Sequence, residues 1–252
     1  KIKKQEKIDF IVDNSTGENT EFLSQILNKS DEASIGSSIN KIFEINNDLV
    51  ASVITNLSNE DNSFLTTSDS EVNNTIKEKI YTQMLSNTDN IETIGKIISK
   101  SDSATIEKMV NIVSLSDSND TNSNLSLQVL SAVADASTFN ESNLDTGEKN
   151  QVNLLIESAV ANAASDPESA KMLANVITKG DQDSVGLMIN SIQTVSENNP
   201  DSNLSLQVLS SVADANAAAA ANDLTSLNAN FLDTGEKNQV NLLIESAVAN
   251  AA

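Results

Sequence analysis

Few side chains in this sequence have the types and spacing that chemistry needs. Asp181 and Asp183 stand two residues apart, as do Ser101 and Ser103. A carboxylate pair can divide acid and base roles, and a serine beside a lysine can act as a nucleophile. Both pairs lie in short polar turns between apolar helical patterns, where helices need caps, and capping accounts for them. His and Cys are absent. That removes the side chain that titrates near neutrality, the thiol nucleophile, the thiolate metal ligand and the disulfide. The run Asp117-Ser118-Asn119-Asp120-Thr121-Asn122 offers oxygens but lacks the glycine of a calcium loop, and Asp13 to Glu18 has Gly17 but poor ligand spacing. The 7 glycines are scattered and form no phosphate loop. The expectation is of no catalytic residue, no cofactor and no dedicated metal site.

What must be positioned is therefore the chain itself, and it is written partly twice. SNLSLQVLS begins at Ser123 and again at Ser202; LDTGEKNQVNLLIESAVANAA begins at Leu144 and again at Leu232. Weaker copies emerge around three short motifs: Lys29-Ser30-Asp31, Lys100-Ser101-Asp102 and Lys179-Gly180-Asp181, which lie 71 and then 79 residues apart (29 to 100, 100 to 179). Before each stand Leu23, Ile26 and Leu27, then Ile94, Ile97 and Ile98, then Leu173, Val176 and Ile177. After each stand Ile35, Ile39 and Ile42, then Ile106, Val110 and Val113, then Val185, Ile189 and Ile192. Spacings of three and four place each set on one helical face, so the motif reads as the turn of a helical hairpin. Lys closing one helix and Asp opening the next both suit the helix dipole.

A third helix follows at Leu49, Val53, Ile54 and Leu57, matched by Leu125, Val129, Leu130 and Val133 and by Leu204, Val208, Leu209 and Val212. A fourth carries Ile76, Ile80 and Met84, then Val152, Ile156 and Val160, then Val240, Ile244 and Val248. Ser68 with Glu71 and Ser165 with Glu168 have capping-box spacing, and Pro167 suits a first helical turn. The unit is four helices. Residues 1–18 read as a partial repeat ending a fourth helix, 19–86 as repeat 1, 87–164 as repeat 2 and 165–252 as repeat 3. The last has a longer linker, 216–231, whose run Ala217 to Ala221 should extend the third helix. Tyr81 and Phe10, near-equivalent aromatics, are expected to pack in the core or on its flank. With neither end carrying an atypical capping sequence, the array is expected to continue in a longer protein, or to stack head to tail through uncapped ends.

The form resembles the stacked helical arrays of HEAT and armadillo proteins, although the Lys-Ser-Asp turn is no part of those patterns. The resemblance implies an all-α fold, an α-solenoid of four-helix repeats whose superhelix is right-handed or of undetermined hand. Charge narrows the partners. Against 36 Asp and Glu there are 15 cations, all Lys, for a net −21. Such a surface repels nucleic-acid phosphate, while weak association with divalent cations is compatible with it. The 38% hydrophobic content, at helical spacing, argues against disorder. No apolar run is long enough to span a bilayer. The functional expectation is a structural or scaffold segment of a bacterial, repetitive, adhesin-like surface protein, placed outside the cell or in its envelope, with the cytoplasm as the alternative. The alternative role is a protein-binding module, whose partner contacts would be Phe139, Phe231, Leu224 and Leu227.

Overall fold

In the computed structural model, the lysine-centred motifs are hairpin turns. The structure describes residues 2–60, 62–67, 71–119, 124–136, 146–163, 167–180, 182–199 and 203–222, with 241, 244 and 248. Two compact units are distinguished, Lys1–Ile112 and Val113–Ala252. Among the described residues all regular structure is helical.

The first unit contains α1 (Ile2–Asp13), α2 (Thr20–Asn28), α3 (Glu32–Ile45), α4 (Asn47–Asn59), α5 (Ser63–Thr66), α6 (Glu71–Leu85) and α7 (Ile91–Ile98), and α8 (Ser103–Asn119) starts in it. Asp31 caps α3, its carboxylate accepting from the Ser34 N–H at 3.0 Å. Asp102 does the same for α8 through the Thr105 N–H at 2.8 Å. The middle residue of each motif turns back on the helix it closes. Ser30 Oγ donates to the Ile26 carbonyl at 2.9 Å, and Ser101 Oγ to the Ile97 carbonyl at 2.7 Å. Gly180, the third equivalent, reaches the Val176 carbonyl with its own N–H at 2.7 Å. A Cβ at Gly180 would lie 3.0 Å from that same oxygen, which is why glycine fits a turn closed this tightly.

Within this unit α2 packs on α4, α1 on α3, and α3 on α4 and α6, while α7 meets α4 and α6. Ile8 and Val12 of α1 are buried, and Lys41 of α3 bonds Asp13 at 2.8 Å, so α1 lies on α3 as a fourth helix would. The four-residue α5 was not legible in the periodicity. It buries Phe64 and Leu65 completely, and the Thr66 carbonyl accepts from the Asp102 N–H at 2.8 Å. Gly36 lets α3 approach α6 closely, since a Cβ there would meet Asn73 Oδ1 at 2.8 Å.

The second unit holds α9 (Leu125–Asp135), α10 (Thr146–Asn162), α11 (Pro167–Lys179), α12 (Gln182–Asn198) and α13 (Leu204–Asn222). Here α11 packs on both α9 and α13, and α10 on both α9 and α12. The core is the expected one: Leu173, Val176, Ile177, Val185, Ile189 and Ile192 are all buried, as are Ile94, Ile97 and Ile98 in the first unit. Each such side chain contributes about 1.5–3 kcal/mol by leaving water. Pro167 opens α11 as a first-turn proline, and α13 runs on through Ala217 to Ala221. Ser68, Ser165, Val240 and residues 223–230 lie outside the described residues.

Four expectations need correction, the first being Ile26, which is only half-buried although its equivalents Ile97 and Val176 are buried. Phe10 is exposed, as is its aligned residue Thr82 on α6, one position past the buried Tyr81. Leu209 is only half-buried, whereas its equivalent Leu130 is fully buried. Ile244 and Val248 are exposed, at 39% and 65%, although the identical residues Ile156 and Val160 are fully buried. The letters and their helical spacing are the same; what differs is the neighbour, since α10 is covered by α12. Replacing Ile156 by Ala should cost about 2–5 kcal/mol of stability, while Ile244→Ala should cost about 1 kcal/mol or less. Denaturant midpoints of the two variants measure that contrast, and equal losses would show that the two copies are packed alike.

Candidate interaction surface

Of the residues with catalytic spacing, Ser101 is the one whose side chain is spent on structure among the described residues. Ser101 is buried with its hydroxyl committed to the Ile97 carbonyl, and Ser103 begins α8. Asp181 and the side chain of Asp183 lie outside the described residues. Asp117, first of the oxygen-rich run, is buried in the last turn of α8. Its carboxylate accepts from the Leu125 N–H at 3.0 Å and the Ser126 N–H at 2.9 Å, and also from Ser126 Oγ. It therefore caps α9 from a distance, with its charge at the positive end of that helix. Positions 46, 117 and 196 correspond. Asn46 caps α4 through the Asp48 N–H at 3.0 Å, and Ser196 Oγ lies 2.7 Å from Ser205 Oγ at the start of α13. Asp13, at the start of the other acidic run, is paired with Lys41. Among the described residues no three acidic groups converge where a metal ion would sit.

One buried charged side chain was missed in the periodicity, while Tyr81 is in the core as expected. Lys77 is 1% exposed; its Nζ donates to the Thr67 carbonyl at 2.6 Å and stands 4.9 Å from the centre of the Phe64 ring. A buried lysine is a residue type that catalysis uses, but here the ammonium is held by a carbonyl and an aromatic face. Tyr81 donates its hydroxyl to the Leu65 carbonyl at 2.7 Å. Burial, and then the negative charge of Asp102, push its phenol above the ordinary value. Both side chains fasten α5 to α6. A groove of about 610 Å³ beside α3 and α6 is lined by Ser37 of α3 and Lys79 of α6, among others.

The interactions that recur lie between helices of successive repeats. In the second unit the α9–α11 seam buries Leu127, Leu173 and Val176 and is stitched by polar groups. Asn124 Nδ2 donates to Ser169 Oγ at 3.1 Å; Asn175 Nδ2 donates to Ser131 Oγ and to Asp135 Oδ1, each at 3.0 Å. Lys179, the cation of the hairpin turn, pairs with Asp135. Partial burial alone would raise the Asp135 pKa. The hydrogen bonds from Lys179 and Asn175 and the charge of Lys179 outweigh it, and the carboxyl lies below its ordinary 3.8.

The exterior is not uniformly polar. Phe10 and Phe22 are 69% and 57% exposed, and Leu206 of α13 is 49% exposed. Beside Phe10, an open hollow is lined by Glu6, Lys7 and Ile11. Phe139, Leu224, Leu227 and Phe231, expected as partner contacts, lie outside the described residues. Among the described residues no helix is long and apolar enough to cross a membrane. The chain matches no protein family, no curated protein and no solved structure in the comparisons made.

The lowered Asp135 pKa has a definite sign. A carboxyl more acidic folded than unfolded contributes stability above its unfolded pKa and loses it as pH falls through the folded one. Asp135→Asn should therefore remove part of the acid sensitivity below about pH 4. Thermal midpoints of both proteins between pH 7 and pH 2 measure this; parallel curves would show that the pair adds nothing to acid sensitivity.

Proposed function

We propose that this chain is a non-catalytic helical-repeat scaffold: an α-solenoid segment whose length separates or displays other parts of a repetitive, adhesin-like protein of the bacterial surface or cell envelope. One observation carries the reading. Apolar residues of α9 and α10, read as the third and fourth helices of one repeat, are buried against α11 and α12, read as the first and second helices of the next. A hairpin cannot bury its apolar face alone, so modules of this kind gain stability by stacking, and length grows with copy number. Asp31, Asp102 and Asp117 serve as caps and Ser101 as a tether in its turn, which supports a structural role for these side chains. The net charge of −21 keeps such an array soluble and turns away nucleic acid.

A second reading is favoured by the exposed aromatics. Phe10 and Phe22, with the hollow beside Phe10, are the kind of anchor that a protein-binding module presents.

Small-angle scattering on the monomer tests the first reading. A stacked array should give a radius of gyration clearly above the roughly 18 Å of a compact chain of this length. A value at that limit would refute the solenoid.

A further inference from the structure

The two copies of one sequence run differ in what covers them. The stripe Asn124, Leu127, Ser131 and Asp135 on α9 faces α11, and Leu127 is 1% exposed. The same letters recur on α13 as Asn203, Leu206, Ser210 and Asp214, and all four are exposed, Leu206 at 49%. Spacings of three, four and four residues keep them on one face of that helix. The copied fourth-helix positions agree: Ile156 and Val160 are fully buried, Ile244 and Val248 exposed. The polar half of the seam is displayed as well. Ser131 and Asp135 take hydrogen bonds from Asn175, and Asp135 pairs with Lys179. Ser210 and Asp214 repeat those groups on the exposed face.

We propose that the α13 face bearing Leu206, Ser210 and Asp214 is a docking site for a helical hairpin of this repeat's own type. Its first helix would carry apolar residues at the positions of Leu173, Val176 and Ile177, and an Asn and a Lys at those of Asn175 and Lys179. The covered copy defines the occupant, since the same surface on α9 is filled by such a hairpin, α11 with α12. A second whole chain fits less well. Its own candidate hairpin, α2 with α3, already carries α1 on α3, in the place that α10 takes on α12. It would have to shed α1, and two chains of net charge −21 repel each other.

The proposal rests on the scaffold reading, and the experiment separates the two. The chain has no Cys, so Leu206→Cys and Leu127→Cys each introduce a unique thiol. Residues 165–198 are added again after Ala252, reproducing the junction that Ala164 makes with Ser165. Thiol labelling of Leu206→Cys should be about tenfold or more slower in the extended chain than in the original. An extension whose copies of Leu173, Val176 and Ile177 are Asp should leave labelling fast. Amide exchange of residues 204–214 in the unsubstituted chains gives the same comparison without any thiol. Unchanged labelling and exchange at Leu206 with a helical extension, while Leu127→Cys stays slow, would overturn the docking site alone. Fast labelling at Leu127 would overturn the stacked-module reading beneath it. Protection of Leu206 that rises with concentration in the unextended chain would assign the face to a second copy and overturn the hairpin as occupant.

Discussion

The burial of one helix's apolar stripe by the helices packed against it is the constraint on which this molecule depends. No disulfide does that work, since the chain has no Cys. Val129, Leu130 and Val133 leave water only because α11 and α10 lie against α9, and those helices in turn need α12 and α13. The stability of each element is therefore borrowed from its neighbours in sequence.

Polar chemistry has a narrow task in this arrangement. Buried polar groups are costly unless they are partnered, and those described here are spent at helix ends and across seams. Asp31 and Asp102 cap the second helix of each hairpin, and Asp117 caps α9 from eight residues away. Lys77 and Tyr81 hold α5 to α6 through the Thr67 and Leu65 carbonyls.

Much of this was legible from spacing. The hairpin turns, the third and fourth helices and nearly all of the core follow from apolar residues three and four apart. What was not legible depends on neighbours that periodicity cannot see. Ile156 and Ile244 sit in identical runs, so no local rule could assign them different burial. Phe10 looked like an aromatic near-equivalent of Tyr81, but one position of offset turns it out of the core. The short α5 has too few residues for a period, and Lys77 was hidden because a buried lysine reads as an ordinary surface charge. The exposed stripe on α13 could have been suspected from the duplication alone, given the question of which helix each copy faces.

The position shared by Asn46, Asp117 and Ser196 is filled by an amide, a carboxylate and a hydroxyl, and each one anchors the start of the third helix. The fold asks that site for an oxygen within reach of a helix start, not for a particular residue. The hairpin turn is as permissive, accepting either a serine side chain or a glycine backbone N–H at the same carbonyl. Lineages of such a module would keep their helices long after their spelling had drifted apart, and ancestry would persist in hydrogen-bond geometry where comparison of letters no longer finds it.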